Sequence, residues 1–196
     1  MSELLRGGWM MLPLAICSIL AVAVIVERFF FFRRIDQTTL AEKMLDLIRN
    51  KRTEEALVMA KKSSLPLAKV LSVGISNPES PAKAMEAAGI LELSTMRRGL
   101  PVLDTVVTLS PLLGLLGTII GMINSFQIMD TAGLGQPHAV TGGVAEALIA
   151  TATGITVAVI ALVPYNYFLS RIERETEVME HYATRLEIVL HSLIEE

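Results

Sequence analysis

The most constraining feature of this chain is a gap in its charges. No Lys or Arg occurs between Arg98 and Arg171, and the acids inside that interval are Asp104, Asp130 and Glu146 alone. Stretches this long and this apolar cannot be covered by the surface of a small soluble domain. They point to lipid as the solvent. Composition agrees: 19% of the residues are charged and 52% hydrophobic, against about 25% and 45–50% in ordinary soluble domains.

Three apolar runs are long enough to cross about 30 Å of hydrocarbon at 1.5 Å per residue. The first is Gly8 to Val26, the second Val102 to Ile128, the third Gly143 to Phe168. The first run follows one Arg (Arg6) and one Glu (Glu3), is long for a signal-peptide core, and is followed by basic residues. It reads as a retained span. Glu27 and Arg28 close it, and Phe29 to Phe32 suit an interface. The expected organisation is an outer N-terminus and first span over 1–36, a cytoplasmic helical domain over 37–99, and a second span over 100–130. An outer loop over 131–142, a third span over 143–169 and a cytoplasmic helix over 170–196 complete it.

The polar stretches carry helical period. Leu40, Met44, Leu47 and Ile48 form one apolar face. Thr53 before Glu54 and Glu55 reads as an N-cap, Pro66 suits a first turn, and Ser80–Pro81 reads as a cap and first-position pair opening a helix towards Arg97. After Arg171, the residues Ile172, Met179, Tyr182, Leu186, Val189 and Leu193 make a heptad-like stripe with one gap at Glu175.

Orientation follows from the basic residues. Arg28, Arg33, Arg34, Arg97, Arg98, Arg171 and Arg174 all flank the same side, while the loop between the second and third spans has no Lys or Arg. That predicts an outer N-terminus and an inner C-terminus. Nothing in the chain resembles a nucleic-acid footprint. Cys17 is the single cysteine, which excludes an internal disulfide and a multi-cysteine metal site. No Ser–His–Asp set, metal-ligand cluster or phosphate loop is present, so an enzyme is not expected and no cofactor or metal is called for.

The residues able to carry chemistry lie in the spans. Glu146 sits just inside the third, where an ionisable group is costly and usually faces a bundle interior or a water path. The competing reading is an interfacial, hydrated carboxylate. Thr118, Thr151, Thr153 and Thr156 place hydroxyls inside the second and third spans. Thr hydroxyls often bond back to their own helix, and small residues such as Gly114, Gly117, Gly121, Ala147, Ala150 and Gly154 favour close helix packing. Depth favours a path: Thr118 is about 15 Å and Thr151 about 12 Å from the outer ends of their spans. At 100° per residue, however, Glu146 and Thr151 point to different sides of one straight helix, and Thr153 returns to the Glu146 face. Asp104, beside Pro101, reads as an interfacial or entry-side residue. Pro111 should bend the second span, and Pro164 marks a bend near the end of the third. His138 reads as a solvated loop residue.

Two segments, SPLLGLLGTIIGMINSF and GGVAEALIATATGITVAVIALVPYNYF, resemble the paired signature of the MotA/TolQ/ExbB proton channel family. The likeness is nearest to the ExbB and TolQ branches. The threonine of LLGLxGT matches Thr118, the acid of GxAEALxAT matches Glu146, and the threonine closing that motif matches Thr151. The resemblance implies an ion path through Glu146, Thr118 and Thr151, with Thr153 and Asp104 as secondary candidates. It implies an all-α homopentamer around a central pore, with the single spans of two ExbD/TolR-like chains inside it supplying an aspartate. A TonB/TolA-like energy transducer and membrane lipid are the further partners it implies. The short N-terminal segment departs from the longest ExbB proteins, and the fourth span of the flagellar branch is missing. A proton is the expected driving ion, although hydroxyls and a carboxylate also suit sodium. The rival reading is a passive membrane scaffold; an intramembrane enzyme lacks a nucleophile–base pair.

Overall fold

The computed structural model describes residues 8–33, 38–132 and 137–194. Its regular structure is helical throughout the described residues, in seven helices: α1 (Met11–Arg33), α2 (Thr38–Arg49), α3 (Thr53–Lys62), α4 (Pro66–Ser76), α5 (Pro81–Met96), α6 (Leu100–Ala132) and α7 (Pro137–Ile194). Three of them are long and apolar enough to cross a membrane. The chain divides into two compact units. One comprises Met1–Phe29 and Gly99–Phe168, the other Phe30–Arg98 and Leu169–Glu196.

The first unit is built from apolar helices that touch through small residues. Met10, just before α1, and Leu14, Cys17 and Ala21 on it form a buried stripe spaced four, three, four, while Leu12, Ile16 and Ile19 face outward. An apolar outer face suits lipid. On α6, Ser110, Gly114, Gly117, Gly121 and Ser125 share one face, and it meets Gly143, Ala147, Ala150 and Gly154 of α7. The approach is close. A methyl on Gly121 would lie 2.9 Å from the Ala147 Cβ, and one on Gly154 would lie 2.5 Å from the backbone oxygen of Ser110. No side chain larger than hydrogen fits at Gly154 without moving a backbone.

Gly99 turns the chain into α6. It has φ +82°, which an L side chain rarely adopts, and Pro101 follows in the first turn of α6. Pro111 lies inside α6 without ending it, and beside it the Ser110 hydroxyl is fully buried with no hydrogen-bond partner.

The second unit has a core of large side chains. Met44, Leu45 and Ile48 of α2, Leu67 and Leu71 of α4, Met85 of α5 and Ile172, Met179 and Leu186 of α7 are buried. The apolar face of α2 is as its period predicts, turned slightly towards Ala41 and Leu45. Gly74 admits Met85 and Leu186 against its bare Cα: a methyl there would lie 2.6 Å from Met85 Cγ and 3.3 Å from Leu186 Cδ2. The heptad-like stripe is buried from Ile172 to Val189. Glu175 is buried within it, with Arg171 3.4 Å away one turn back.

Polar latches tie this unit together. Arg185 donates to both oxygens of Glu42, at 2.5 and 3.0 Å, and the Tyr182 hydroxyl donates to Glu42 at 2.8 Å. These bonds, that from Arg185 foremost, hold the Glu42 carboxyl down from 4.5 to about 2. Lys69 pairs with Glu92 at 3.0 Å.

Four local expectations meet different outcomes. Pro66 and Pro81 do open their helices, with Leu65 and Ser80 as the preceding caps, although Ser80 makes no side-chain capping bond. Thr53 is not an N-cap. It is the first residue of α3, and Arg52 precedes it, closing the turn by pairing with Glu55. Helix also runs into the stretch expected as a loop over 131–142: α6 continues to Ala132 and α7 begins at Pro137. The His138 side chain lies outside the described residues. Finally, α7 is continuous through Pro164 for 58 residues, where a span and a separate helix were expected.

Candidate ion pathway

The polar groups of the membrane unit are positioned by the close face between α6 and α7. Thr151 is one residue beyond Ala150, which packs on Gly117. Its hydroxyl therefore reaches across and donates to the backbone oxygen of Gly114 at 2.9 Å. Gly114 makes this possible because a side chain there would meet the Thr151 backbone at about 3 Å. Thr118 lies one turn further along α6. Its hydroxyl donates to the Leu115 oxygen at 2.6 Å and keeps its own oxygen free to accept.

Thr153 and Thr156 bond back to Ile149 and Ala152, at 2.8 and 2.7 Å. Asp104 is exposed in the first turns of α6, and its backbone oxygen accepts the Thr108 hydroxyl. Ser125, unremarked in the sequence, is fully buried; it donates to Gly121 at 2.8 Å and packs on Gly143.

Glu146 does not share the surroundings of Thr151. It is half-buried and lies against Gly8, at the turn that opens α1. At 100° per residue one helix thus aims Glu146 at the turn before α1 and Thr151 at α6. Gly8 was read only as the edge of an apolar run, because its contact with Glu146 spans most of the chain and has no local signal. Ser110 could have been suspected from the Ser–Pro step inside a span, since Pro111 withholds one helix donor. Among the described residues, no cluster of three or more His, Cys, Asp or Glu could hold a metal ion.

Three apolar helices joined through a small-residue face, with hydroxyls and one carboxyl at their contacts, define a multi-pass helical membrane protein. The particular family follows from comparison. The profile of the MotA/TolQ/ExbB proton channel family matches residues 37–181, and the chain belongs to that family. It is 33% identical over 193 residues to the biopolymer transport protein ExbB-like 3 of Synechocystis, covering 94% of this chain and 92% of that one. Over 113 residues it is 38% identical to the Tol-Pal system protein TolQ of Pseudomonas aeruginosa, covering 58% of this chain and 49% of TolQ. It is 35% identical over 94 residues to the biopolymer transport protein ExbB of Xanthomonas campestris, covering 48% of this chain and 37% of the other.

Proposed function

We propose that this protein is the ion-conducting subunit of an inner-membrane motor of the ExbB–ExbD or TolQ–TolR type. It would assemble as a homopentamer whose pore holds two single-span partner chains. The N-terminus would lie outside and the polar unit in the cytoplasm. Proton flow would energise an outer-membrane transport or envelope-maintenance partner through a TonB/TolA-like transducer.

The carrying observation is the arrangement around Glu146, the acid inside an apolar motif shared with the family. A carboxyl at that position can take up a proton where free charge is expensive, and release it to the next acceptor. Thr118 supports the reading because its oxygen is available to accept after its proton is spent on Leu115. Thr151 supports it differently. Its bond to Gly114 fixes the separation of α6 and α7 beside the path. Thr153 and Asp104 are secondary members.

The passive scaffold rests on a specific observation too: the hydroxyls of Thr118, Thr153 and Thr156 are all spent on their own helices, as packing residues spend them. Glu146→Gln separates the two. In membranes containing the partner subunits, the variant should assemble normally and lose uptake or envelope-integrity function by roughly a hundredfold or more, the size expected when a proton-transferring group is removed. Thr151→Ala should lose part of the function. Full function in both variants, with normal assembly, would establish the scaffold.

A further inference from the structure

Gly8 is 138 residues from Glu146 in sequence, yet the carboxyl lies directly on it. Gly8 has φ +68°, and its oxygen accepts the Met11 amide at 3.1 Å in the turn that opens α1. A methyl built on its Cα would clash with Glu146 Oε1 and lie 3.0 Å from Cδ and 3.5 Å from Cγ. The end of the Glu146 side chain is therefore laid across the one surface of the α1 turn that carries no side chain. Two independent features call for glycine here: the backbone angle and the space.

The turn is anchored on α6 as well. The next residues, Trp9 and Met10, complete the turn before α1, and the Met10 side chain lies against Gly117 of α6: a methyl on Gly117 would be 3.5 Å from Met10 Cβ. Ala147, the neighbour of Glu146, packs on Gly121 of the same helix. Both the turn and the acid are thus referenced to α6, one by Met10 and one by Ala147.

We propose that Gly8 is a positioning residue for Glu146, holding the carboxyl at the start of α1 by presenting a bare Cα. The consequence for the ion path rests on the motor reading above; the contact itself does not. Any side chain at position 8 pushes the carboxyl out of its seat. Moving a reacting group by about an ångström lowers a rate by roughly tenfold or more.

The test uses the full chain co-expressed with its partner subunits, in four variants: Gly8→Ala, Gly8→Asn, Glu146→Asp and Gly8→Ala with Glu146→Asp. Two quantities are read: motor function, and the rate at which a membrane-soluble carbodiimide modifies the carboxyl at position 146. Asparagine tolerates positive φ, so Gly8→Asn fills the space without straining the turn.

Both single changes at Gly8 should alter the modification rate by roughly tenfold and lower function by a similar factor, with assembly unchanged. The shorter aspartate withdraws from the added methyl, so Gly8→Ala should cost little further in the Glu146→Asp background. The proposal is overturned if Gly8→Asn behaves as wild type, because strain alone then explains the alanine. It is also overturned if the Gly8→Ala loss is the same in both backgrounds, because the effect is then only structural. Should Glu146→Gln keep full function, the motor reading fails while the modification rate still decides the contact.

Discussion

The two units of this chain are both helical, and they are held together by opposite means. In the membrane unit the contacts are made by what is missing: Gly114, Gly117, Gly121, Gly143 and Gly154 let backbones touch. In the polar unit they are made by bulk, with Met44, Leu71, Met85, Ile172 and Leu186 filling the space. The solvent explains the contrast. Burying a leucine from water gains about 2 kcal/mol, whereas moving it from lipid to a helix contact gains almost nothing. A helix in lipid associates through close packing and interhelical hydrogen bonds, such as that from Thr151 to Gly114. A helix in water associates through apolar area, and can add ion pairs at its rim, as Glu42 and Arg185 do.

The contrast can be broken most severely on the polar side. Leu186→Ala removes a fully buried side chain from the α7 stripe and should cost about 3 kcal/mol. Hydrogen exchange of the full chain would show this as lost protection over residues 169–194, with α6 unaffected. On the membrane side the damaging change is an addition. Gly154→Ala places a methyl 2.5 Å from the Ser110 oxygen, and helix separation should cost about 2 kcal/mol. Unfolding in detergent micelles measures it. An alanine there with no effect on stability would mean that the α6–α7 face is looser than its geometry.

The smallest effect is electrostatic and belongs to the polar unit alone. The Glu42 carboxyl is held down to about 2 by Arg185 and Tyr182. Its folded value lies below its unfolded one, so its contribution to stability is present above about pH 4.5. That contribution is lost as pH falls towards 2. Glu42 is exposed enough for salt to screen the pair. Glu42→Gln should therefore flatten the acid limb of the stability profile, most visibly at low salt. An unchanged acid limb would remove Glu42 from the account.

The membrane unit was the more legible in sequence, and for the same reason. The interval from Arg98 to Arg171, without Lys or Arg, leaves few options, so its two spans could be read directly, and the apolar run from Gly8 to Val26 supplied the first. The face containing Gly114, Gly117 and Gly121 was visible from spacing. Boundaries were harder. Thr53 looks like a cap by residue type, but the Arg52–Glu55 pair lets helix begin at Thr53 itself. The stretch 131–142 looks like a loop because it is rich in Gly and Pro, yet Pro137 is a good first residue for a helix and Gly143 is needed for packing on Ser125. The site was legible in identity and not in geometry. Glu146, Thr118 and Thr151 could be singled out one by one. That Thr151 reaches α6 while Glu146 rests on Gly8 depends on where α1 starts, and no local pattern encodes it.

The continuity of α7 has a mechanical consequence. At 1.5 Å per residue its 58 residues extend about 87 Å, nearly three times the thickness of hydrocarbon. A loop would let one end turn without the other; an unbroken backbone ladder is stiff in torsion. Between Thr151 and Arg171 the only weakened rung is at Pro164, where the backbone donor is absent. Within the membrane unit, Pro164 is therefore the place where α7 bends at least cost.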